Sequence, residues 1–154
     1  MKKTNPNRYS SAVGEAWMHC EFKIRYCHPI FDDEVYREAM DTLFLEAAYM
    51  YEIPLGTIGF DSGHVHFLAD IGLYNRPAAA KFLRGYTARK FFEYFPELKR
   101  QKRRGGLFWD SGLWNPSYWI GSLRNLENTI KYIKKQKYGE YGRNMKSQTT
   151  LLSF

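Results

Sequence analysis

The stretch from Ile53 to Ile71 leaves a folding chain little choice. Ile53 to Phe60 and His64 to Ile71 read as two strands, and Asp61-Ser62-Gly63 between them is turn-forming, so the segment predicts an antiparallel hairpin. Side chains alternate along a strand with a period of two, which puts His64 and His66 on one face with Val65 on the other. Two imidazoles on one face can share one metal ion, although strand histidines without a metal are commoner.

Around the hairpin the chain alternates strand and helix patterns. A strand is expected at about Ala16 to Tyr26. A helix follows, with Asp32 or Asp33 as its cap and Val35, Met40, Leu43, Phe44, Ala47 and Met50 as its apolar face, up to about Tyr51. A second helix runs from about Arg76 to Tyr94 and stops before Pro96, and a short strand lies near Tyr118 to Gly121. The order strand-helix-strand-strand-helix-strand-helix predicts an α+β fold: a ferredoxin-like or RRM-like antiparallel sheet with helices on one face, plus a C-terminal helix. At 154 residues this is one domain, spanning 15–138, with an N-terminal tail at 1–14 and a C-terminal tail at 139–154.

The last helix, expected from about Arg124 to Lys137, carries an apolar stripe of Leu123, Leu126, Ile130 and Ile133. Tyr132 projects roughly 140° away from the centre of that stripe, at about 100° per residue. A tyrosine off the core face is either a solvated surface residue or a working hydroxyl. Gln136, one turn later, can reach the same point in space.

A formal charge of +7 favours a polyanionic partner. Lys99, Arg100, Lys102, Arg103 and Arg104 form a dense basic run, and Arg84, Arg89, Lys131 and Lys135 add charge on the helices either side. Trp109, Trp114, Tyr118 and Trp119, just after the run, could stack unpaired bases while the cations hold phosphates, or could simply pack in the core. Cys20 and Cys27 would point to opposite faces of one strand, so reduced thiols are the simple reading, and strand geometry opposes a metal cluster built from them with His19 and His28. No signal peptide or membrane-length apolar run is present, and a cytoplasmic protein without membrane contact is expected.

Together, His64-Val65-His66 and the late Tyr132-x-x-x-Gln136 helix resemble the HUH single-tyrosine transposases, the TnpA type of small bacterial and archaeal insertion sequences. The resemblance extends from about Glu15 to Lys137, through Trp17 to Tyr26, Ala80 to Arg89, Gly106 to Asp110 and Tyr118 to Gly121. One position departs: members often carry an acid directly before the first histidine, where this chain has Gly63, with Asp61 two positions earlier. The resemblance implies a metal-dependent enzyme that cleaves and rejoins single-stranded DNA with hairpin ends. Tyr132 would be the nucleophile, making a 5′-phosphotyrosine and freeing a 3′-hydroxyl, with Mg²⁺ or Mn²⁺ on His64, His66 and Gln136. It also implies a homodimer in which each tyrosine helix completes the other subunit's site. A domesticated repeat-associated relative, an HUH replication nickase and a non-enzymatic single-strand-binding module are the alternative readings.

Overall fold

A computed structural model describes residues 16–123 and 125–139; the expected tails, and Arg124, lie outside the described residues apart from Gly139. Four strands form one sheet: β1 (Trp17–Ile24), β2 (Leu55–Phe60), β3 (His64–Asp70) and β4 (Trp114–Ser122), in the order β2-β3-β1-β4 and antiparallel throughout. With α1 (Glu34–Tyr51) and α2 (Arg76–Tyr94) as the crossovers, this is the expected ferredoxin-like arrangement. A third helix, α3 (Leu126–Lys134), follows β4.

Strand alternation sorts the side chains into two faces. Cys20, Phe22 and Ile24 of β1, Val65, Phe67 and Ala69 of β3, and Ile120 of β4 are buried in a common core with Met40, Leu43, Phe44 and Ala47 of α1 and Ala79, Ala80, Leu83 and Phe91 of α2. Phe67 stands between Phe22 and Phe44, with ring centroids 5.1 and 5.0 Å away. The helices start where their caps dictate: the Asp33 carboxylate accepts the Val35 amide at 2.9 Å, and the Asn75 side chain accepts that of Ala78 at 2.8 Å, with Pro77 in the first turn. Val35, expected on the apolar face, is 60% exposed in the first turn of α1.

The first strand is shorter than expected. It ends at Ile24 because Tyr26 and Cys27 take positive φ values of 58° and 51°, which no strand continues. Cys27 is therefore exposed outside the strand, while Cys20 is buried within it and burial pushes its thiol pKa up. The last strand is longer, starting at Trp114 and running through Pro116. The expected strand starts only near Tyr118; β4 is an edge strand, where Pro116, a residue without an N–H, is tolerated.

The last helix is also shorter, Leu126–Lys134 in place of Arg124 to Lys137. Asn125 caps it by accepting the Asn128 amide at 3.0 Å. It lies on the sheet face opposite α1 and α2, where Ile133 and Leu68 are buried with Trp17, Leu123 and Ile130 packed around them. Leu126, expected in that stripe, is 40% exposed. Beyond the helix, Tyr138 pairs with Phe60 through two backbone hydrogen bonds of 3.1 and 2.7 Å, closing the free edge of β2.

Candidate active site

The site occupies the sheet face that α3 only partly covers. His64 and His66 share that face of β3, as alternation requires, and β1 brings two further residues beside them: Glu21 is the cross-strand partner of His66, and His19 is that of Leu68. One donor atom each from Glu21, His64 and His66 lie within 4.8 Å of one another. Two imidazoles and a carboxylate are a donor set that suits a divalent cation.

The histidines sit in different surroundings. His66 is buried, and this burial, with His64 and His19 beside it, holds its pKa down at about 4, so the ring is neutral and able to donate a lone pair at physiological pH. His19 is likewise held below the usual histidine range, by burial against an opposing pull from Glu21. Nδ1 of His66 lies 3.3 Å from Nε2 of His19, a hydrogen bond in which one ring donates and the other accepts. His64 is more open, and its Nε2 lies 3.8 Å from the Asp61 carboxylate. The acid that stands two positions before His64, and not next to it, thus still reaches the ring, because Asp61 and His64 close the hairpin turn with a 2.8 Å backbone hydrogen bond.

Tyr132 is neither on the apolar stripe nor free of the protein. Half of it is exposed, and its ring meets His66 and His19 edge-on, with centroids 5.3 and 5.7 Å apart. The close seating of α3 depends on Gly59 of β2, the partner of His66: a Cβ there would fall 2.3 Å from the Ile133 carbonyl oxygen. Gln136, expected to aim at the metal, lies past the helix end, and its Nε2 donates to the Tyr132 carbonyl at 3.2 Å. The chain thus brings His64, His66 and Tyr132 together by itself and uses Gln136 to cap the turn that holds Tyr132.

The expected DNA-binding cations separate into two groups. Arg84 donates to the carbonyls of Asn115 at 2.6 Å and Pro116 at 3.4 Å, and Lys99 donates to those of Phe108 and Ser111 at 2.8 Å each, so Arg84 braces the start of β4 and Lys99 the segment that leads into it. Arg89, Arg100, Lys102, Arg103, Arg104, Lys131 and Lys135 are exposed. Arg100 to Arg104 belong to the loop before β4, which enters the sheet at Trp114 opposite Ile24, next to the Lys23–His64 pair. Lys131 and Lys135 flank Tyr132 in sequence at the surface of α3 and the turn after it.

Glu21 escaped the sequence reading, which weighed His19 only with Cys20, Cys27 and His28 and not beside His66. A polar alternation of His19, Glu21 and Lys23 against Cys20, Phe22 and Ile24 was visible, but only the pairing register puts the first two beside His66.

Over residues 12–136 the chain matches the family described as Transposase IS200 like. It is 30% identical over 118 residues to the ISDra2 transposase TnpA of Deinococcus radiodurans, covering 76% of this chain and 78% of that protein. Among solved structures, a transposase from Deinococcus radiodurans aligns with a TM-score of 0.62 at 28% identity, over 88% of this chain and 98% of its own. A REP-associated tyrosine transposase bound to a REP hairpin aligns with a TM-score of 0.50 at 10% identity, over 82% and 67%, a likeness of fold. No described helix is long and apolar enough to cross a membrane. Since the matched span runs from before β1 to beyond α3, it takes in the whole sheet and the tyrosine helix together, and the chain belongs to the IS200-like transposase family.

Proposed function

We propose that this transposase cuts and rejoins single-stranded DNA at the hairpin-bearing ends of an insertion sequence, with Tyr132 as nucleophile. The observation that supports this most is the edge-on contact of the Tyr132 ring with His66, one of three donors gathered within 4.8 Å. Attack by the Tyr132 oxygen forms an O–P bond at the scissile phosphate, the bond from phosphorus to the 3′-oxygen breaks, the phenolic proton is lost to solvent or a nearby base, and the departing oxygen takes up a proton as a 3′-hydroxyl. The 5′-phosphotyrosine retains the energy of the cut bond, so a second 3′-hydroxyl can reverse the step on a new partner strand without ATP.

Glu21, His64 and His66 would hold a divalent cation, Mg²⁺ or Mn²⁺. Bound there, it would draw charge from the non-bridging phosphate oxygens. His66 is suited to that task because burial keeps it neutral, and the hydrogen bond to His19 fixes its ring. In this chain the Glu21 carboxylate would supply the third donor while Gln136 braces the Tyr132 backbone; to act as a ligand, Gln136 would first have to give up its 3.2 Å bond to the Tyr132 carbonyl. In the homodimer that this reading includes, the α3 that rests against His66 within the single chain exchanges between copies, so that each Tyr132 serves the other copy's site, in a cytoplasmic setting.

The test uses single-stranded oligonucleotides copied from the DNA flanking the coding sequence, with Mn²⁺. A protein–DNA species stable to denaturant is expected, absent with chelator and absent in His64→Ala. For the shared site, a doubly tagged dimer of one His64→Ala and one Tyr132→Phe subunit contains one intact site only if tyrosines are exchanged; adduct formation by that species is expected, and a dead but verified heterodimer would leave the chemistry standing with each tyrosine acting at home.

A further inference from the structure

Of the four aromatic residues beside the basic run, the structure separates one from the rest. Trp114 is 5% exposed and its indole N–H donates to Thr87, and Tyr118 packs edge-on against Phe22 under the Arg84 guanidinium. Trp109 is exposed in the loop before β4. Trp119 alone stands on the open half of the site face: it is 58% exposed, and it is the cross-strand partner of Glu21.

Its ring does not stand up from the sheet. A Cβ added at Gly121 would lie 2.5 Å from Cζ2 and 2.8 Å from Nε1 of Trp119, so the indole is laid along its own strand over the bare glycine backbone. Gly121 in turn pairs with His19, the ring that touches Tyr132 at 5.7 Å. Neighbouring strands are about 4.8 Å apart, so the indole lies one strand away from the His19 and Glu21 positions, while α3 covers the β2 and β3 side. A large aromatic ring lying across a glycine, exposed beside a group of cation donors, has the form of a stacking platform.

We infer that Trp119 is a binding site for an unpaired nucleobase, stacking the base of a nucleotide next to the scissile phosphate and so setting which phosphate faces Tyr132. This rests on the function proposed above. The charge balance favours a nucleic acid over a second protein surface: Lys23, half exposed on the same face of β1, lies 3.9 Å from the Glu21 carboxylate and offsets it, and the whole chain carries +7. An apolar protein contact would instead have to desolvate the Glu21–Lys23 pair.

The probe is a fluorescein-labelled 15-mer of oligothymidylate, titrated by anisotropy against Tyr132→Phe protein, which cannot cut it, with Trp119 intact or changed to Phe or Ala. Loss of one base–aromatic stack corresponds to roughly 5- to 150-fold in affinity. Trp119→Ala should weaken binding within that range with the salt dependence unchanged, since no charge is removed, and Trp119→Phe should recover most of it. Mn²⁺ binding without DNA should be the same in all three. Equal affinity of the Ala and Trp forms would overturn the inference, as would a change in the dimer–monomer equilibrium by light scattering that accounts for the whole loss. Were the Trp119-intact protein not to bind the oligonucleotide at all, the functional reading itself would fall; binding that ignores Trp119 would sink only the stacking site.

Discussion

The two faces of one sheet are built from the same strands and obey opposite rules. Towards α1 and α2 the strands turn apolar side chains into a dry, packed core, with Phe22, Phe44 and Phe67 in mutual contact. Towards α3 the same strands present His19, Glu21, His64, His66 and Trp119, and only Leu68 and Ile133 form a small dry cluster. Adjacent residues on β3 therefore answer to different demands: Phe67 holds the fold, His66 holds the site. A period of two makes this division possible, and it also means that a register slip of one residue would exchange the two faces entirely.

Exchanging single residues across the division should break one property and spare the other. Phe67→Ala leaves a cavity between two phenyl rings and should cost about 3–5 kcal/mol in urea unfolding, whereas Tyr132→Phe should abolish the covalent DNA species with a melting temperature within about 2 °C of the parent. A Tyr132→Phe protein that unfolds easily, or a stable Phe67→Ala protein, would show that the faces are not separable.

A smaller effect follows from charge. His66 is held at about 4 in the fold against an ordinary 6.5, so between those values the unfolded chain takes up a proton that the folded chain refuses. In chelator, stability to urea should fall as the pH drops from about 6.5 towards 4 and then level off, His19 adding in the same direction. His66→Asn should flatten that slope; an unchanged profile would place the titrating group elsewhere. The smallest effect distinguishes free cations from bracing ones. Neutralising Lys102, Arg103 or Arg104 should each lower the salt slope of single-strand binding by up to about 0.7, while Lys99→Gln should leave the slope alone and loosen the loop, because its ammonium is spent on two carbonyls.

The hairpin, the two crossover helices and the histidine pair were legible because each rests on local pattern: alternation, a turn triplet, an Asp or Asn cap. Tyr132 was legible as an outlier from an apolar stripe. Glu21 and His19 were not, since their proximity to His66 is created by the pairing of strands more than 40 residues apart. Nor could the residues alone separate Arg84 and Lys99 from the solvent-facing cations, for a basic side chain looks the same in sequence whether it meets a phosphate or a carbonyl of its own backbone.

Gly59 contributes no atom to any of this beyond its backbone, yet it acts as the gauge of the site. The helix that carries Tyr132 rests on the strand next to the histidines at a separation that only a hydrogen side chain permits. Tolerance at that point is one-sided: the gap can open by any amount but cannot close further. Even a methyl group would act as a shim, lifting Ile133 and with it the neighbouring tyrosine off the imidazoles while the hydrophobic face of the sheet, on the other side of the strand, stayed as it is. A position that offers no side chain to the site thus sets the clearance between Tyr132 and the imidazoles.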